Sequence, residues 1–498
     1  MWRRCVISLS FTNIYMLPTL EPGTTVTIRC RLDNARVKGK LGFLQLRQPP
    51  LSTVQAVVAD NPDLITTAKQ LTKESVIEIT GKTQTPAKPV ASASCSNVEI
   101  SVDAIKVISA AQVPLPFPLR DTTPKLDTRL DNRAYDLRTL PNAGVFRIQS
   151  ATTQLYRRFM TQRAFLEIHS PKMIGTPSEG GSAVFELGYF NQKGYLAQSP
   201  QLYKQMAVQG DLTKVIEIGP VFRAENSQTH RHLTEYTGLD MEMAINYSYH
   251  EVLDVLEEVV VYIITTLQAE AQEWIHAALS DLRSEETGEP LPMPAPIVPT
   301  LSSEVIVAHQ IGDDSNNIAS GDKYGGRIGH EDCPVLRMTF DNAVQLLIDH
   351  GILPATKEGE TPINDFNSST EKELGKIIKE RYGVDVFLLD QFHLSARAFY
   401  TKPGSDGVHS ESFDLFVRGE EICSGAQRIH DVDQLLVRAQ ACGVSTDLIA
   451  DYVNAFRYGA WPHGGFGIGL ERFVMLFLGL PNVRMASMFP RDPKRIRP

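Results

Sequence analysis

The stretch "FRAENSQTHRHLTEYTGLDMEM", residues 222–243, places a highly charged segment between two runs of strand-forming sequence. The preceding "VIEIGPVF" and the closing "YTGLDMEMAI" each alternate apolar and polar residues. In a strand, this alternation puts Leu239 and Met241 on one face and Asp240 and Glu242 on the other. The pattern therefore predicts two neighbouring strands joined by the polar loop "QTHRHLTE".

The cationic residues of this segment have two possible uses. Arg223 is expected on a rigid strand, while His230, Arg231 and His232 are expected on a mobile loop. A fixed guanidinium presents a planar fork to phosphate oxygens, and loop residues can close over a bound anion. The alternative is a salt-bridged hairpin that binds nothing, and this stretch alone leaves both interpretations open.

A second segment of this kind lies near the C-terminus, where residues 463–479 read "HGGFGIGLERFVMLFLG". Its glycines lead into a predicted helix with apolar residues at i, i+3, i+4 and i+7. They permit close approach of a ligand to the backbone, and Arg472 lies in the first helical turn, where free amides favour anions. Tight packing of a helix on a sheet is the alternative, and the run is not a Walker A loop because no G-K-[ST] ends it. The four glycines are Gly464, Gly465, Gly467 and Gly469.

The length, residue composition, cysteine spacing and net charge of the chain narrow the kind of protein that it can be. With 498 residues, 42% of them hydrophobic and 21% charged, the chain is an ordinary globular protein of two to four domains. Its six cysteines are widely spaced and form no cysteine–histidine cluster, which indicates a reducing compartment and argues against a structural zinc site. The net charge of −9 means that any nucleic-acid contact must use local basic patches.

Two apolar segments resemble targeting or membrane signals but are not interpreted as such. The first twenty residues begin with arginines, yet polar residues interrupt the apolar run and no cleavage site stands out. The stretch "EVLDVLEEVVVYIITTLQ", residues 251–268, contains three acidic residues. It is therefore predicted to be a buried amphipathic helix rather than a membrane span.

The N-terminal part of the chain has the pattern of a small β-barrel. Residues 24–59, 75–88 and 97–109 contain short alternating runs broken by Gly and Pro, which predict about five strands. Basic residues lie close to Phe43, and such a group suits single-stranded nucleic acid, although a merely solvated strand edge is the alternative. These residues are Arg29, Arg31, Arg36, Lys38 and Lys40.

Further along the chain, proline and glycine divide the sequence into domains. A helix pattern from residue 144 is expected to run into a strand ending at Pro171, and strand-like runs dominate from there to residue 245. Residues 310–334 are expected to form a flexible surface loop. The predicted domains are a barrel at 1–112, a hinge at 113–143 and a second domain at 144–498 with an inserted helical and loop region at about 275–335. Further helices are predicted at 248–283, 340–350 and 371–382.

The helix and strand ending at Pro171, the "FRAE...RH..E" pattern and "GIGLER" resemble, in that order, the three signature motifs of class II aminoacyl-tRNA synthetases. The N-terminal barrel and hinge resemble the subclass that holds the aspartyl, asparaginyl and lysyl enzymes. The segments "TPSEGGSAVF", "AQSPQLYKQ", "GEEICSGAQRIHD" and "MFPRDPKRIRP" are most similar to eukaryotic and archaeal-type aspartyl-tRNA synthetases. This resemblance covers nearly the whole chain, with Tyr236 standing where a phenylalanine is familiar.

The resemblance implies a fold, a reaction and partners. The fold is α+β, an OB-fold barrel followed by a class II catalytic domain with an antiparallel sheet flanked by helices. L-aspartate attacks the α-phosphorus of ATP to give aspartyl-adenylate and diphosphate, and the terminal ribose of aspartate tRNA then takes the aspartyl group. The family further implies Mg²⁺, a homodimer, a cytoplasmic location without a membrane, and compatibility with a multi-synthetase complex.

For the nucleotide, the resemblance assigns a set of residues. Arg223 would grip the α-phosphate and the attacking carboxylate, and Arg472 the γ-phosphate. Glu225 would accept from the adenine amino group, and Tyr236 would stack on the ring. Since the reaction builds negative charge, positioned cations should supply most of the rate. The catalytic residues are then Arg223, Arg472 and Glu421, and the ATP-binding residues are Arg223, Glu225, Arg231, His232, Leu233, Tyr236, Glu421, Gly469 and Arg472.

Magnesium needs oxygen ligands, commonly one or two carboxylates together with substrate phosphates. The segment "SFDLFVRGEEICSG" offers Asp414 and Glu421 about Gly419, so a turn there could bring both carboxylates onto adjacent strands. The resemblance implies Glu421 and Ser424 as metal ligands and Asp414 as a weaker candidate. A solvated acidic hairpin is the alternative.

Recognition of a side-chain carboxylate calls for buried cations, and Lys204 and Arg428 match the family positions for this role. The lysyl branch would need acidic groups here, and a neutral asparagine amide would leave the Lys204 ammonium unpaired at a cost of several kcal/mol. His232 either contacts the α-carboxylate or phosphates or is structural. The implied aspartate-binding residues are Glu179, Gln201, Lys204, Ser424 and Arg428.

In this family the barrel reads the anticodon, by stacking a base on an aromatic ring and reading base edges with polar side chains. The matching positions are Phe43, Gln55 and Glu99, of which Gln55 aligns only with a one-residue insertion. Two other functions remain to be distinguished. One is an RNA-binding or scaffold protein with a decayed synthetase domain, and the other is an amidating or ligating paralogue, a class that lacks the barrel.

Overall fold

The computed structural model describes residues 11–50, 52–119, 124–177, 184–280, 292–313, 321–355 and 363–498. Glu179, predicted to bind aspartate, lies outside these residues. The chain divides into two units, Met1–Ala143 and Gly144–Pro498.

The strands of the first unit close into a barrel. They are β1 (Thr25–Lys38), β2 (Leu41–Gln48), β3 (Ser52–Ala59), β4 (Val76–Gln84) and β5 (Glu99–Ser109). Their order is β1-β2-β3-β5-β4, and pairing of β4 with β1 closes the ring, which is the arrangement of an OB-fold. Alternate residues such as Ile28, Leu44 and Val54 are fully buried inside the barrel, as the period-two pattern predicts.

The polar connections of the first unit also have a defined structure. Helix α1 (Pro62–Gln70) follows β3, and the side chain of Asn61 caps its first amides while Pro62 occupies the first turn. In the segment predicted to be a hinge, two short helices form, α2 (Leu126–Asp131) and α3 (Arg133–Asp136). Its alternating charges partly serve internal pairing, because Arg129 and Arg133 both bind the buried Asp136 carboxylate.

The second unit is built on a large, mainly antiparallel sheet, which confirms the predicted α+β class. Its strands are β6 (Leu166–Glu167), β7 (Met173–Ile174), β8 (Glu186–Tyr189), β9 (Gln192–Leu196), β10 (Lys214–Phe222), β11 (Glu235–Ala244), β12 (Gly312–Asp313), β13 (Arg327–Ile328), β14 (Leu336–Thr339), β15 (Val386–Asp390), β16 (Ser412–Val417), β17 (Glu420–Gln427) and β18 (His463–Gly469). Within the described residues, the main sheet has the order β12-β13-β14-β15-β16-β17-β18-β11-β10-β6, and β7, β9 and β8 form a small separate sheet.

Helices flank this sheet and share its core. They are α4 (Leu140–Gln162), α5 (Gln201–Ala207), α6 (His250–Glu270), α7 (Gln272–Leu279), α8 (Ser303–His309), α9 (Phe340–Asp349), α10 (Ser368–Tyr382), α11 (Val432–Ala441), α12 (Ala450–Phe456) and α13 (Leu470–Leu478). The apolar residues of α6 and α13 pack against the buried faces of β11 and β18. The acidic Glu257 within α6 is fully buried and pairs with Arg337, so α6 is a core helix as expected. Among the described helices, none is long and apolar enough to cross a membrane.

The two strands predicted from the opening segment are present as the antiparallel pair β10 and β11. The register pairs Val215 with Glu242 and Phe222 with Glu235. Leu239 and Met241 are buried in the apolar core, as the alternation predicts. The opposite face is also buried, because Asp240 pairs with Lys204 and Glu242 pairs with Arg428, and neither carboxylate faces solvent.

Several local expectations were wrong. The strand expected to end at Pro171 is the two-residue strand β6, which ends at Glu167. Helix α5 interrupts the region that strand-like runs were expected to dominate. Residues 310–334 are not simply a surface loop, because β12 and β13 join the sheet and Tyr324 is buried. The polar residues there serve internal contacts: the Asp322 carboxylate accepts from the amides of Tyr324 and Gly326. Residues 314–320 lie outside the described part of the chain.

Candidate active site

A cavity of about 460 Å³ lies over the polar face of strands β10, β11, β17 and β18. Every residue predicted to bind ATP lines it, together with three of the residues predicted to bind aspartate. Lys204 and Asp414 lie behind this wall. The predicted residues that line the cavity are Gln201, Arg223, Glu225, Arg231, His232, Leu233, Tyr236, Glu421, Ser424, Arg428, Gly469 and Arg472.

Arg223 lies one residue beyond the end of β10, where its amide donates to the carbonyl of Thr234 and closes the base of the loop. Its guanidinium is 3.9 Å from the Glu225 carboxylate and lies over the Tyr236 ring, 5.8 Å from the ring centroid. The side chain is 40% exposed, so it can contact a ligand in the cavity without leaving its strand-end position.

The loop between β10 and β11 was expected to be mobile, but the structure anchors it at two positions. Arg231 binds the Glu371 carboxylate on α10 at 2.5 Å, and His230 lies 3.0 Å from both oxygens of Glu420. His232 points into the cavity, with its Nδ1 2.5 Å from the Thr229 hydroxyl. Burial and the nearby Arg472 lower the pKa of His232, so the ring is neutral at pH 7.

Arg472 lies in the first turn of α13, as predicted, and is held from two sides. Its guanidinium donates to the carbonyl of Glu421 at 2.9 Å and to the carbonyl of Arg231 at 3.3 Å. Gly469 precedes the helix without a capping side chain, and Gly469, Glu471 and Arg472 all line the cavity. The first turn of α13 therefore brings a cation and a carboxylate to the cavity wall.

The glycine-rich segment before α13 is a strand rather than a ligand-binding loop. A Cβ atom at Gly465 would lie 2.2 Å from the Met241 carbonyl and 2.3 Å from a Glu242 carboxylate oxygen. At Gly467 it would lie 3.0 Å from the Asp240 carboxylate. These two glycines therefore leave room for the acidic side chains of β11, and their role is close packing between neighbouring strands.

Four charged side chains form a buried cluster at one end of the cavity. The Lys204 ammonium is 3.0 Å from Asp240 and 3.4 Å from Glu242, and the Arg428 guanidinium donates to Glu242 at 2.9 Å. Each of the four is less than 10% exposed. Burial raises the pKa of Glu242, but Arg428 and Lys204 outweigh it, so the carboxyl has a lowered pKa and stays ionised.

The two acidic residues of this cluster, Asp240 and Glu242, were not predicted as site residues from the sequence. Both lie on the polar face predicted for β11. Their only sequence signal is their position opposite Gly465 and Gly467 on β18, and this requires knowledge of the strand order. Asp240 and Arg428 both line the cavity, so the wall offers a ligand one negative and one positive side chain.

The predicted metal ligands lie on a tight hairpin. Arg418 and Gly419 have φ values of 51° and 74°, so the turn between β16 and β17 needs a left-handed backbone at both positions. Asp414 is then directly opposite Ser424 on the neighbouring strand. Burial, followed by repulsion from Asp414, raises the pKa of Glu421 to about 7.

Asp414 forms an ion pair with Arg397, a residue that the sequence did not predict in the site. The two guanidinium nitrogens of Arg397 donate to the two Asp414 oxygens at 3.1 and 2.7 Å, and one also donates to the Ser424 hydroxyl at 3.2 Å. Arg397 lies on the long connection between β15 and β16 and lines the cavity. No motif surrounds it in the sequence, which is why it was not predicted.

Comparison with known proteins decides the family. The family described as tRNA synthetases class II (D, K and N) matches residues 125–493. This chain belongs to that family. Cytoplasmic aspartate–tRNA ligases are 38% identical to it in Caenorhabditis elegans, over 98% of this chain and 88% of the relative, and 40% identical in Homo sapiens, over 95% and 88%. A solved structure from Leishmania major, described as an aspartyl-tRNA synthetase, has a TM-score of 0.89 and 42% identity, covering 100% of this chain and 97% of that one.

These findings confirm the resemblance inferred from the motifs. In this class II synthetase, the three segments that carried it contribute to α4 with β6, to the β10–β11 pair and to β18 with α13. The last two segments meet at the cavity. Its β11 and β18 are direct neighbours in the sheet, so a Cβ atom at Gly469 would lie 4.0 Å from the Tyr236 ring, although the two residues are far apart in sequence.

The barrel of this synthetase brings the three predicted anticodon residues onto adjacent strands. Phe43 on β2 is 40% exposed, and Gln55 on β3 pairs with Glu99 on β5 in the parallel register. The Gln55 side-chain amide donates to Glu99 at 2.8 Å, and Gln84 donates to the second Glu99 oxygen. Phe43 is therefore exposed on β2, the strand next to the one that carries Gln55, and the Gln55 and Glu99 side chains are held in position by hydrogen bonds.

Proposed function

We propose that this protein attaches L-aspartate to aspartate tRNA through an aspartyl-adenylate, with release of diphosphate and AMP. The observation that carries the proposal is that three cations, Arg223, Arg472 and the buried Arg428, line the same cavity. The relatives named aspartate–tRNA ligases support the choice of amino acid. Like those relatives, the protein would act in the cytoplasm.

The first step joins an oxygen of the aspartate α-carboxylate to the α-phosphorus of ATP and breaks the bond to diphosphate. Arg223 stabilises the charge that develops on the α-phosphate, and Arg472 binds the departing end of the nucleotide. Tyr236 stacks on adenine while Glu225 accepts from its amino group. In the second step a ribose hydroxyl of the tRNA attacks the activated carbonyl, and AMP leaves.

Amino-acid selection depends on the buried charge cluster. Aspartate brings an ammonium and a side-chain carboxylate, and the cavity wall offers Asp240 and Arg428 as partners of opposite charge. Lysine would bring a second ammonium in place of the side-chain carboxylate, and this like charge would face the Arg428 guanidinium. Asparagine would place a neutral amide beside the Arg428 guanidinium and lose a charge-assisted hydrogen bond.

Magnesium fits the hairpin of β16 and β17. The donor set is made of oxygens, which magnesium prefers. Burial, followed by repulsion from Asp414, raises the pKa of Glu421, and a bound divalent cation would favour the ionised carboxylate. Glu421 and Ser424 would hold the ion, while Arg397 keeps Asp414 in place beside them. When bound, the ion neutralises phosphate charge and orients the nucleotide.

We expect the protein to be a homodimer. Strand β6 is the last strand at one edge of the main sheet, and Leu166 on it and Met173 nearby are 50% and 59% exposed. An exposed strand edge with apolar side chains favours pairing with another chain. Light scattering at micromolar concentration should therefore give twice the chain mass, whereas a monomeric mass with full activity would refute the dimer.

The barrel should contribute to tRNA use and not to adenylate formation. Stacking of a base on an aromatic ring contributes about 1–3 kcal/mol, so Phe43→Ala should lower the tRNA charging rate roughly 5- to 150-fold. Because Phe43 is half-exposed, its loss should change the melting temperature little. Charging with limiting tRNA, and amino-acid-dependent ATP–pyrophosphate exchange, are to be measured on the same preparation.

Leu41→Ala is the matched control for this variant. Leu41 is on the same strand and is equally exposed, at 40%, but carries no ring. The tRNA charging rate of Leu41→Ala should stay close to that of wild type. Unchanged charging by Phe43→Ala would rule out the stacking role, and equal losses in both variants would indicate an apolar contact without base stacking.

Amino-acid-dependent ATP–pyrophosphate exchange tests the proposed function without tRNA. Aspartate should support exchange and lysine should not. A scaffold protein with a decayed synthetase domain would support none, and this result would exclude the enzymatic proposal. The alternative of an amidating or ligating paralogue is disfavoured because that class lacks the barrel, which is present here.

A further inference from the structure

A cluster of potential metal ligands lies away from the cavity wall. Asp341, His393 and His409 each offer one ligand atom, and these atoms lie within 4.8 Å of one another. They come from three separate parts of the chain: the first turn of α9, the segment after β15 and the segment before β16. This separation explains why the spacing of residues in the sequence gave no sign of the cluster.

The backbone places the two histidines side by side. His393 and His409 form an isolated antiparallel bridge. It is flanked by hydrogen bonds from the Leu394 amide to the Val408 carbonyl and from the Ser410 amide to the Phe392 carbonyl. This pattern defines a non-hydrogen-bonded pair, in which two side chains project from the same face at the closest cross-strand distance. The imidazole centroids are accordingly 4.9 Å apart.

The remaining contacts orient the ring nitrogens. The Nε2 atom of His409 is 3.1 Å from one Asp341 oxygen, and the Nε2 atom of His393 is 3.5 Å from the other. The Nδ1 atom of His409 is 2.6 Å from the Asp406 carboxylate, which also accepts from the amides of Val408 and His409. A carboxylate on Nδ1 is the usual outer partner of a histidine that binds metal through Nε2.

We propose that Asp341, His393 and His409 form a binding site for a divalent transition metal, with Zn²⁺ the best match. Two imidazole nitrogens and one carboxylate are a common three-ligand zinc set, with water as the fourth ligand. Nitrogen ligands disfavour magnesium and calcium, which prefer oxygen. The competing explanation is an ion pair in which a protonated His409 bridges Asp341 and Asp406.

The proposed metal site lies at the base of a loop that forms part of the cavity wall. His393 and His409 are the two ends of the loop that carries Arg397, Tyr400 and Thr401, all of which line the cavity. Arg397 in turn holds Asp414. An ion at the base of this loop would tie its two ends to α9 and so stabilise the wall that bears Arg397.

The full-length protein, freed of metal by a chelator and without ATP or aspartate, is to be titrated with Zn²⁺. Wild type should bind one ion at this site and raise its melting temperature by about 2 °C or more at saturation. Asp406→Asn, which changes only the outer partner, should weaken zinc binding by roughly 10- to 100-fold. His409→Ala and Asp341→Asn should lose more affinity than this. Co²⁺ should give the visible absorption of a tetrahedral site in wild type but not in these two variants.

Two controls separate this site from other zinc ligands. His276→Ala removes an exposed histidine on α7, and Cys442→Ser removes an exposed thiol, and both should bind zinc as wild type does. Because Asp341→Asn and Asp406→Asn preserve side-chain size, they keep the test decisive if His409→Ala fails to fold. The proposal is overturned if wild type binds no zinc, or if these variants bind it with unchanged affinity. Neither result would affect the proposed synthetase activity.

Discussion

Arg223→Ala should reduce aspartate-dependent ATP–pyrophosphate exchange by roughly 100-fold or more, the loss expected when one preorganised group that stabilises developing charge is removed. The guanidinium lies at the end of β10 and is directed at the cavity, so its main contribution is made to the transition state. The fold should not change, because a side chain that is 40% exposed contributes little to stability. The melting temperature should stay within about 2 °C of wild type.

Two further variants make this result specific. Arg457→Ala removes an exposed arginine from the end of α12, outside the cavity, and should leave exchange unchanged. Arg223→Lys keeps the charge but loses the planar fork, so its rate should fall between those of wild type and Arg223→Ala. Near-normal exchange by Arg223→Ala would contradict the assignment of this residue to the α-phosphate.

The second large effect is expected from Arg428→Gln, which should abolish measurable aspartate activation and also destabilise the protein. Arg428 pairs with Glu242, which is fully buried. Removing one partner of a buried ion pair leaves an uncompensated charge and typically costs about 3–5 kcal/mol. Thermal melting and exchange at high aspartate concentration should therefore both report a loss.

The double variant Arg428→Gln/Glu242→Gln separates binding from stability. It removes both charges of the pair, so much of the lost stability should return. Aspartate activation should stay absent, because the cation that receives the substrate's side-chain carboxylate is still missing. If the double variant regained both stability and aspartate use, Arg428 would be a structural residue and not a specificity residue.

Local patterns were enough to predict the scaffold. The alternation of "YTGLDMEMAI" gave β11 and its core face, and the i, i+3, i+4, i+7 spacing after Gly469 gave α13. These patterns succeed because burial of one face is decided within a few neighbouring residues. Arg223 and Arg472 were placed for the same reason, since each is attached to an element that its own neighbours define, whereas Tyr236 was assigned by the family resemblance.

The contacts that complete the site could not be predicted in this way. Arg397 reaches Asp414 from the long connection between β15 and β16, and Lys204 on helix α5 reaches Asp240 on strand β11. Both pairings depend on the order of strands in the sheet, which no local pattern encodes. The glycines of "HGGFGIG" show the same dependence, because their role became clear only once β18 was found beside the acidic side chains of β11.

The identity of the amino acid is the central claim, and one measurement tests it most directly. Labelled aspartate, asparagine and lysine are each supplied separately, with ATP and Mg²⁺, to the purified protein and tRNA that contains all three cognate species. The account predicts that aspartate alone becomes esterified to tRNA. Attachment of asparagine or lysine, or of no amino acid at all, would contradict it.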